Sequence, residues 1–98
     1  MSLKSYITDP KSGTGIAAAA SSDIKTLASL TDGKTNGVVL IQVASTEAAG
    51  VEVIAVNNTT GLLVANDGNP VSFFCDDLAK MLVKRQGGAD ITFRFFAF

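Results

Sequence analysis

Catalysis draws on a short menu of side chains, and this 98-residue chain has no histidine. That removes the usual general base near neutral pH and the commonest metal ligand. No Ser-His-Asp or Cys-His arrangement can be built. Ser, Lys and Asp chemistry and paired carboxylates stay open in principle, and the best carboxylate pair is Asp76-Asp77. Neighbours on a strand point to opposite faces, so the two would not share one site; they read as turn or cap residues. Cys75 is the single cysteine, which excludes an internal disulfide and a thiolate metal cluster within one chain. Because it follows Phe73 and Phe74, a buried apolar role suits it better than a reactive thiol.

The remaining motifs have plainer readings. Gly13-Thr14-Gly15 has the look of a phosphate loop, but no Gly-Lys-Ser/Thr follows and no strand-loop-helix unit surrounds it. Asn66-Asp67-Gly68-Asn69 offers oxygen ligands without the spaced loop and terminal Glu of a calcium site, and a tight turn is expected there. Asn57 and Asn58 begin glycosylation-type triplets, which matter only with secretion. Lys84, Arg85 and Arg94 make a small basic set, either a solvated face or a contact for an acidic partner surface. No cofactor, no metal and no enzymatic activity are therefore expected.

Composition points toward contact instead. Apolar residues make up 47% and charged residues 17%, against a usual charged share of about 25%. Sparse charge suggests that part of the surface is covered in use. A net charge of −1 argues against a general nucleic-acid binder, whose affinity rests on many cations facing phosphates. Residues 38–78 hold Glu47, Glu52, Asp67, Asp76 and Asp77 without a Lys or Arg, whereas residues 79–98 hold Lys80, Lys84, Arg85 and Arg94 against Asp90. Segments of opposite sign can pair within a sheet or across a subunit boundary. No run reaches the roughly 18 apolar residues of a membrane span, and residues 1–20 lack the pattern of a signal peptide. Synthesis and assembly in a cytoplasm are the expectation.

The elements that must position these residues read as β. Residues 1–20 are rich in Ser, Thr, Ala, Gly and Asp, and predict an extended arm lying on its own sheet or on a neighbour. Its large side chains are Leu3, Tyr6, Ile7 and Ile16. Residues 21–98 predict one small antiparallel β-sandwich, jelly-roll-like, with turn signals every eight to fifteen residues or so. Ser22–Leu30 fits a helix or a strand, and the strand agrees with the β character of the chain beyond it. Val38–Ala44, Val51–Val56, Leu62–Ala65 and Val71–Cys75 read as strands. Several hold almost no polar residue, so both faces should be covered. Asp76–Arg85 matches a capped helix, but Lys80–Arg85 with Ile91–Phe98 also makes a hairpin. The hairpin is the expectation, with a helical turn near Asp76–Ala79. In the last strand Ile91, Phe93, Phe95 and Ala97 alternate with Thr92, Arg94, Phe96 and Phe98. One set belongs to the core. Phe96 and Phe98 either close the sandwich or form a contact surface.

The apolar strand GVVLIQV, the turn ANDGNP and the closing DLAKMLVKRQGGADITFRFFAF together resemble the layout of small bacteriophage virion proteins encoded among head and tail genes. The resemblance spans Asn36–Phe98 and carries no invariant motif. It implies a compact β-sandwich bound to a larger assembly, commonly as a trimeric decoration or cement protein on the capsid. The implied partners are the major capsid protein or other virion subunits, including copies of the chain, with no nucleic acid and no membrane. The implied location is the virion, assembled in the host bacterial cytoplasm. Candidate contact residues are Tyr6, Ile7, Arg94, Phe96 and Phe98. The competing reading is a tail or fibre module that binds a receptor or glycan.

Overall fold

Runs of branched and aromatic residues form the strands, and Asn, Asp and Gly break them. A computed structural model describes residues 10–17, 25–31, 33 and 36–98, with Lys25 and Cys75 described by backbone alone. The expectation of a buried Cys75 thiol thus concerns a side chain outside the described set. In chain order the strands are β1 (Lys11–Ala17), β2 (Lys25–Thr26), β3 (Gly37–Gln42), β4 (Val51–Ala55), β5 (Leu62–Val64), β6 (Val71–Cys75), β7 (Met81–Arg85) and β8 (Ile91–Ala97). A helical turn, α1 (Leu27–Leu30), follows β2, and a 3-10 turn (Leu78–Lys80) precedes β7. No helix among the described residues is long and apolar enough to cross a membrane.

The strands make two four-stranded antiparallel sheets. Sheet A has the order β1-β8-β3-β6 and sheet B the order β2-β7-β4-β5. This is the small all-β architecture that the strand rhythm predicts. Between the sheets Ala17, Val39, Ile41, Phe73, Ile91, Phe93, Phe95 and Ala97 from sheet A meet Val51, Val53, Val64 and Val83 from sheet B. Leu27 and Leu78, both buried, fill the same core. Each such large side chain contributes about 1.5–3 kcal/mol when fully withdrawn from water.

The Gly13-Thr14-Gly15 run sits on β1 beside two of these rings. A Cβ on Gly15 would stand 2.5 Å from Cζ of Phe93, and one on Gly13 would stand 3.3 Å from Cζ of Phe95. These glycines let phenyl rings lie against the backbone, a packing role.

Two expectations need revision. Within Ser22–Leu30, residues 22–24 lie outside the described set, and the strand is only Lys25–Thr26 before α1 begins. Thr26 ends it by capping the turn: its Oγ1 accepts from the Ser29 N–H at 3.1 Å, and Ser29 Oγ donates back to the Thr26 carbonyl at 2.8 Å. Second, Met81–Arg85 and Ile91–Ala97 do not form a hairpin. β7 pairs with β2 and β4, whereas β8 pairs with β1 and β3. The segment between them, Gln86–Asp90, is long enough to cross the roughly 10 Å that separates packed sheets, so the two strands land in opposite layers. The helical turn expected near Asp76–Ala79 falls at Leu78–Lys80, where Asp77 Oδ1 accepts from the Ala79 N–H at 3.1 Å. Of the arm expected over residues 1–20 on its own sheet or on a neighbour, Lys11–Ala17 is extended and lies against β8 of its own sheet; residues 1–9 and 18–20 lie outside the described set.

The segments of opposite charge do meet inside the fold. Glu52 and Lys84 are cross-strand neighbours on β4 and β7. Oε1 of Glu47 accepts from the Thr92 N–H at 2.8 Å. The Asn66–Asn69 run closes a turn: Asp67 Oδ1 accepts from the Asn69 N–H at 2.9 Å, and Gly68 takes φ +81°. Asn66 Nδ2 donates to the Glu47 carbonyl at 2.9 Å and Gln42 Nε2 to the Gly68 carbonyl at 2.6 Å. That turn is thereby tied to the loop after β3.

Candidate interaction face

The strict alternation of β8 decides which residues leave the core. Ile91, Phe93, Phe95 and Ala97 are buried, while Thr92, Arg94 and Phe96 are exposed. The register then places their neighbours. Phe96 lies between Ser12 on β1 and Leu40 on β3, and Arg94 between Thr14 and Gln42. Phe98 and Val38 exchange both backbone hydrogen bonds, at 2.7 and 2.9 Å. Val38 is next to Phe74, and Leu40 is next to Ser72, on β6. The outer face of sheet A thus carries a continuous apolar cluster of Val38, Leu40, Phe74, Phe96 and Phe98.

Two of the three aromatic members are poorly covered, and Phe98 is half-buried. Phe74 is 77% exposed and Phe96 44%. The rings of Phe96 and Phe98 stand edge to face at 5.5 Å between centroids, an arrangement that holds both in place without hiding them. Arg94 marks one end of the cluster, and its side chain has no hydrogen bond or ion pair among the described residues. A shallow groove of about 210 Å³ runs between Leu40, Pro70, Arg94 and Phe96. Beyond Arg94 a polar cleft of about 430 Å³ is lined by Gln42, Ser45, Thr46, Glu47 and Thr92.

Of the residues that the sequence singles out, Arg94, Phe96 and Phe98 come together on this face. Tyr6 and Ile7 lie outside the described residues. Asp76 and Asp77 follow β6, and Asp77 caps the 3-10 turn; among the described residues no group of three or more His, Cys, Asp or Glu side chains could hold a metal. Lys84 and Arg85 stand on sheet B, apart from Arg94 on sheet A. Arg85 Nη1 donates to Asp90 Oδ1 at 3.2 Å, so the three cations do not form one patch.

Sequence reasoning missed Phe74, Val38 and Leu40. The signal was present in parity: if Phe73 is inside, Phe74 on the same strand must be outside. It also missed Leu62 and Leu63 on the edge strand β5, which are 65% and 57% exposed.

Flat, apolar and carrying one guanidinium, the face is suited to adhesion. Aromatic residues and Arg are the types enriched at the centres of protein contacts. The chain matches no family model, no curated protein and no solved structure.

Proposed function

We propose that the chain is a structural subunit of a bacteriophage particle, decorating or cementing the capsid through protein contacts rather than catalysis. The observation that carries this reading is the outer face of sheet A. Five apolar side chains of a charge-poor domain lie side by side there with Arg94 at their margin. Singly exposed apolar residues are ordinary, whereas a contiguous cluster marks a contact.

The topology supports the reading. β1 pairs with β8, β2 with β7, β3 with β6 and β4 with β5. We read this nested order, 1-8-3-6 over 2-7-4-5, as a jelly roll, an architecture that viral capsid and lectin domains use. The partners in this proposal are the major capsid protein, other virion subunits and further copies of the chain. The subunit is assembled in the host cytoplasm and resides in the virion. Weak contacts repeated around a shell add up to a strong brace.

Phage particles purified from cultures carrying the gene provide the test. Peptide mapping and immunogold labelling should find the chain on intact heads. Particles that lack it, from cells that express it, would overturn the reading. The polar cleft beside Arg94 favours one alternative, a tail or fibre module that grips a receptor or glycan. Labelling confined to tails, with hits on a glycan array, would select that alternative.

A further inference from the structure

We infer that the outer face of sheet A is covered by the same face of a second copy, related by a two-fold axis through the face. Arg94 of each copy meets Asp76 of the other. The inference rests on reading this face as a contact surface, and it names the occupant.

Charge and position identify that occupant. Along β8, Arg94 precedes Phe98 by four residues, roughly 13 Å of strand. Phe98 is bonded to Val38, and Val38 is paired with Phe74. Asp76 follows the end of β6, just beyond Phe74, and is exposed. The apolar cluster therefore lies between a cation at one end and a carboxylate at the other. Neither side chain has a hydrogen bond or ion pair among the described residues.

Stacking two copies with like ends together sets Arg94 near Arg94 around an apolar centre, which like-charge repulsion disfavours. Reversing one copy sets each Arg94 toward an Asp76, twice, as a closed two-fold contact requires. The axis then crosses β3 between Val38 and Leu40, the middle of the cluster, and the aromatic rings of both copies are withdrawn from water. Four strands about 4.8 Å apart and roughly 17–24 Å long give the pair on the order of 800 Å² of contact. That is near the lower limit for a specific interface, so association in the micromolar range is expected.

The test is light scattering and sedimentation of the full chain from micromolar to millimolar concentration. The expected result is a reversible shift from 10.1 kDa to twice that mass. Arg94→Glu and Asp76→Arg should each weaken association about tenfold or more. An equimolar mixture of the two variants, and the double variant in one chain, should restore it, because oppositely charged pairs are then available again. Far-UV circular dichroism checks that each variant is folded. A monomer at millimolar concentration, a trimer, or a dimer indifferent to charge reversal and swap would overturn the inference. If a monomeric chain is still found on phage heads, the two-fold contact alone fails. If the charge-swapped dimer is confirmed and heads lack the chain, the virion reading alone fails.

Discussion

Gly15 and Phe74 sit on opposite faces of sheet A, and their substitution separates what holds the fold from what the fold presents. Alanine at Gly15 places a carbon 2.5 Å from the ring of Phe93, a buried side chain. Overpacking of this kind costs about 1–3 kcal/mol, so Gly15→Ala should lower the urea midpoint clearly. An unchanged midpoint would mean that the ring can shift. Phe74→Ser exposes nothing new and empties no cavity, since the ring is 77% exposed. Its unfolding free energy should stay within about 0.5 kcal/mol of the parent, and a larger loss would show that Phe74 supports the fold. Neither role is legible from the residue alone. The glycine's partner ring lies in the last strand, far along the chain, and Phe74 reads as part of a buried run until the pleat separates it from Phe73.

At the scale of elements, legibility followed local pattern. β6 falls at Val71–Cys75 as the composition indicates, and the inward and outward sets of β8 follow directly from alternation. The helical turn α1 lost to the strand reading because Ile24, Thr26, Ala28 and Leu30 alternate as a strand would, and the deciding cap, Thr26, is only visible in its hydrogen bonds. The false hairpin has a different cause: alternation says which face a strand buries and says nothing about its neighbour. Strand β1 carries a consequence for truncation. A chain without residues 1–9 keeps all of Lys11–Ala17 and serves as the reference. Removing residues 1–15 deletes most of β1 and strips β8 of one neighbour. At about 4–8 °C per kcal/mol for a domain of this size, the midpoint should fall by more than about 10 °C. Calorimetry of the two truncations decides the matter, and equal midpoints would show that β1 adds little to sheet A.

At the scale of the whole molecule, the nested pairing makes the outer apolar face of sheet A depend on β8. β8 lies between β1 and β3, so sheet A is divided until the last strand arrives. The face is divided with it, since Arg94, Phe96 and Phe98 all come from that end of the sequence. Pairing partners drawn from opposite ends of a chain must overcome loop-closure entropy before any contact rewards it. All-β domains of this kind accordingly fold in milliseconds to seconds. A chain lacking residues 91–98 should therefore be unfolded, with a poorly dispersed amide spectrum and no cooperative thermal transition. Adding the missing strand as a separate peptide should restore dispersion, because its inward residues Ile91, Phe93 and Phe95 are the ones the core lacks. A well-dispersed spectrum from the truncated chain would show that sheet B and the rest of sheet A fold without β8. The apolar face would then be an addition to a finished domain, whereas the observed pairing makes the strand that completes the core the same strand that presents the face.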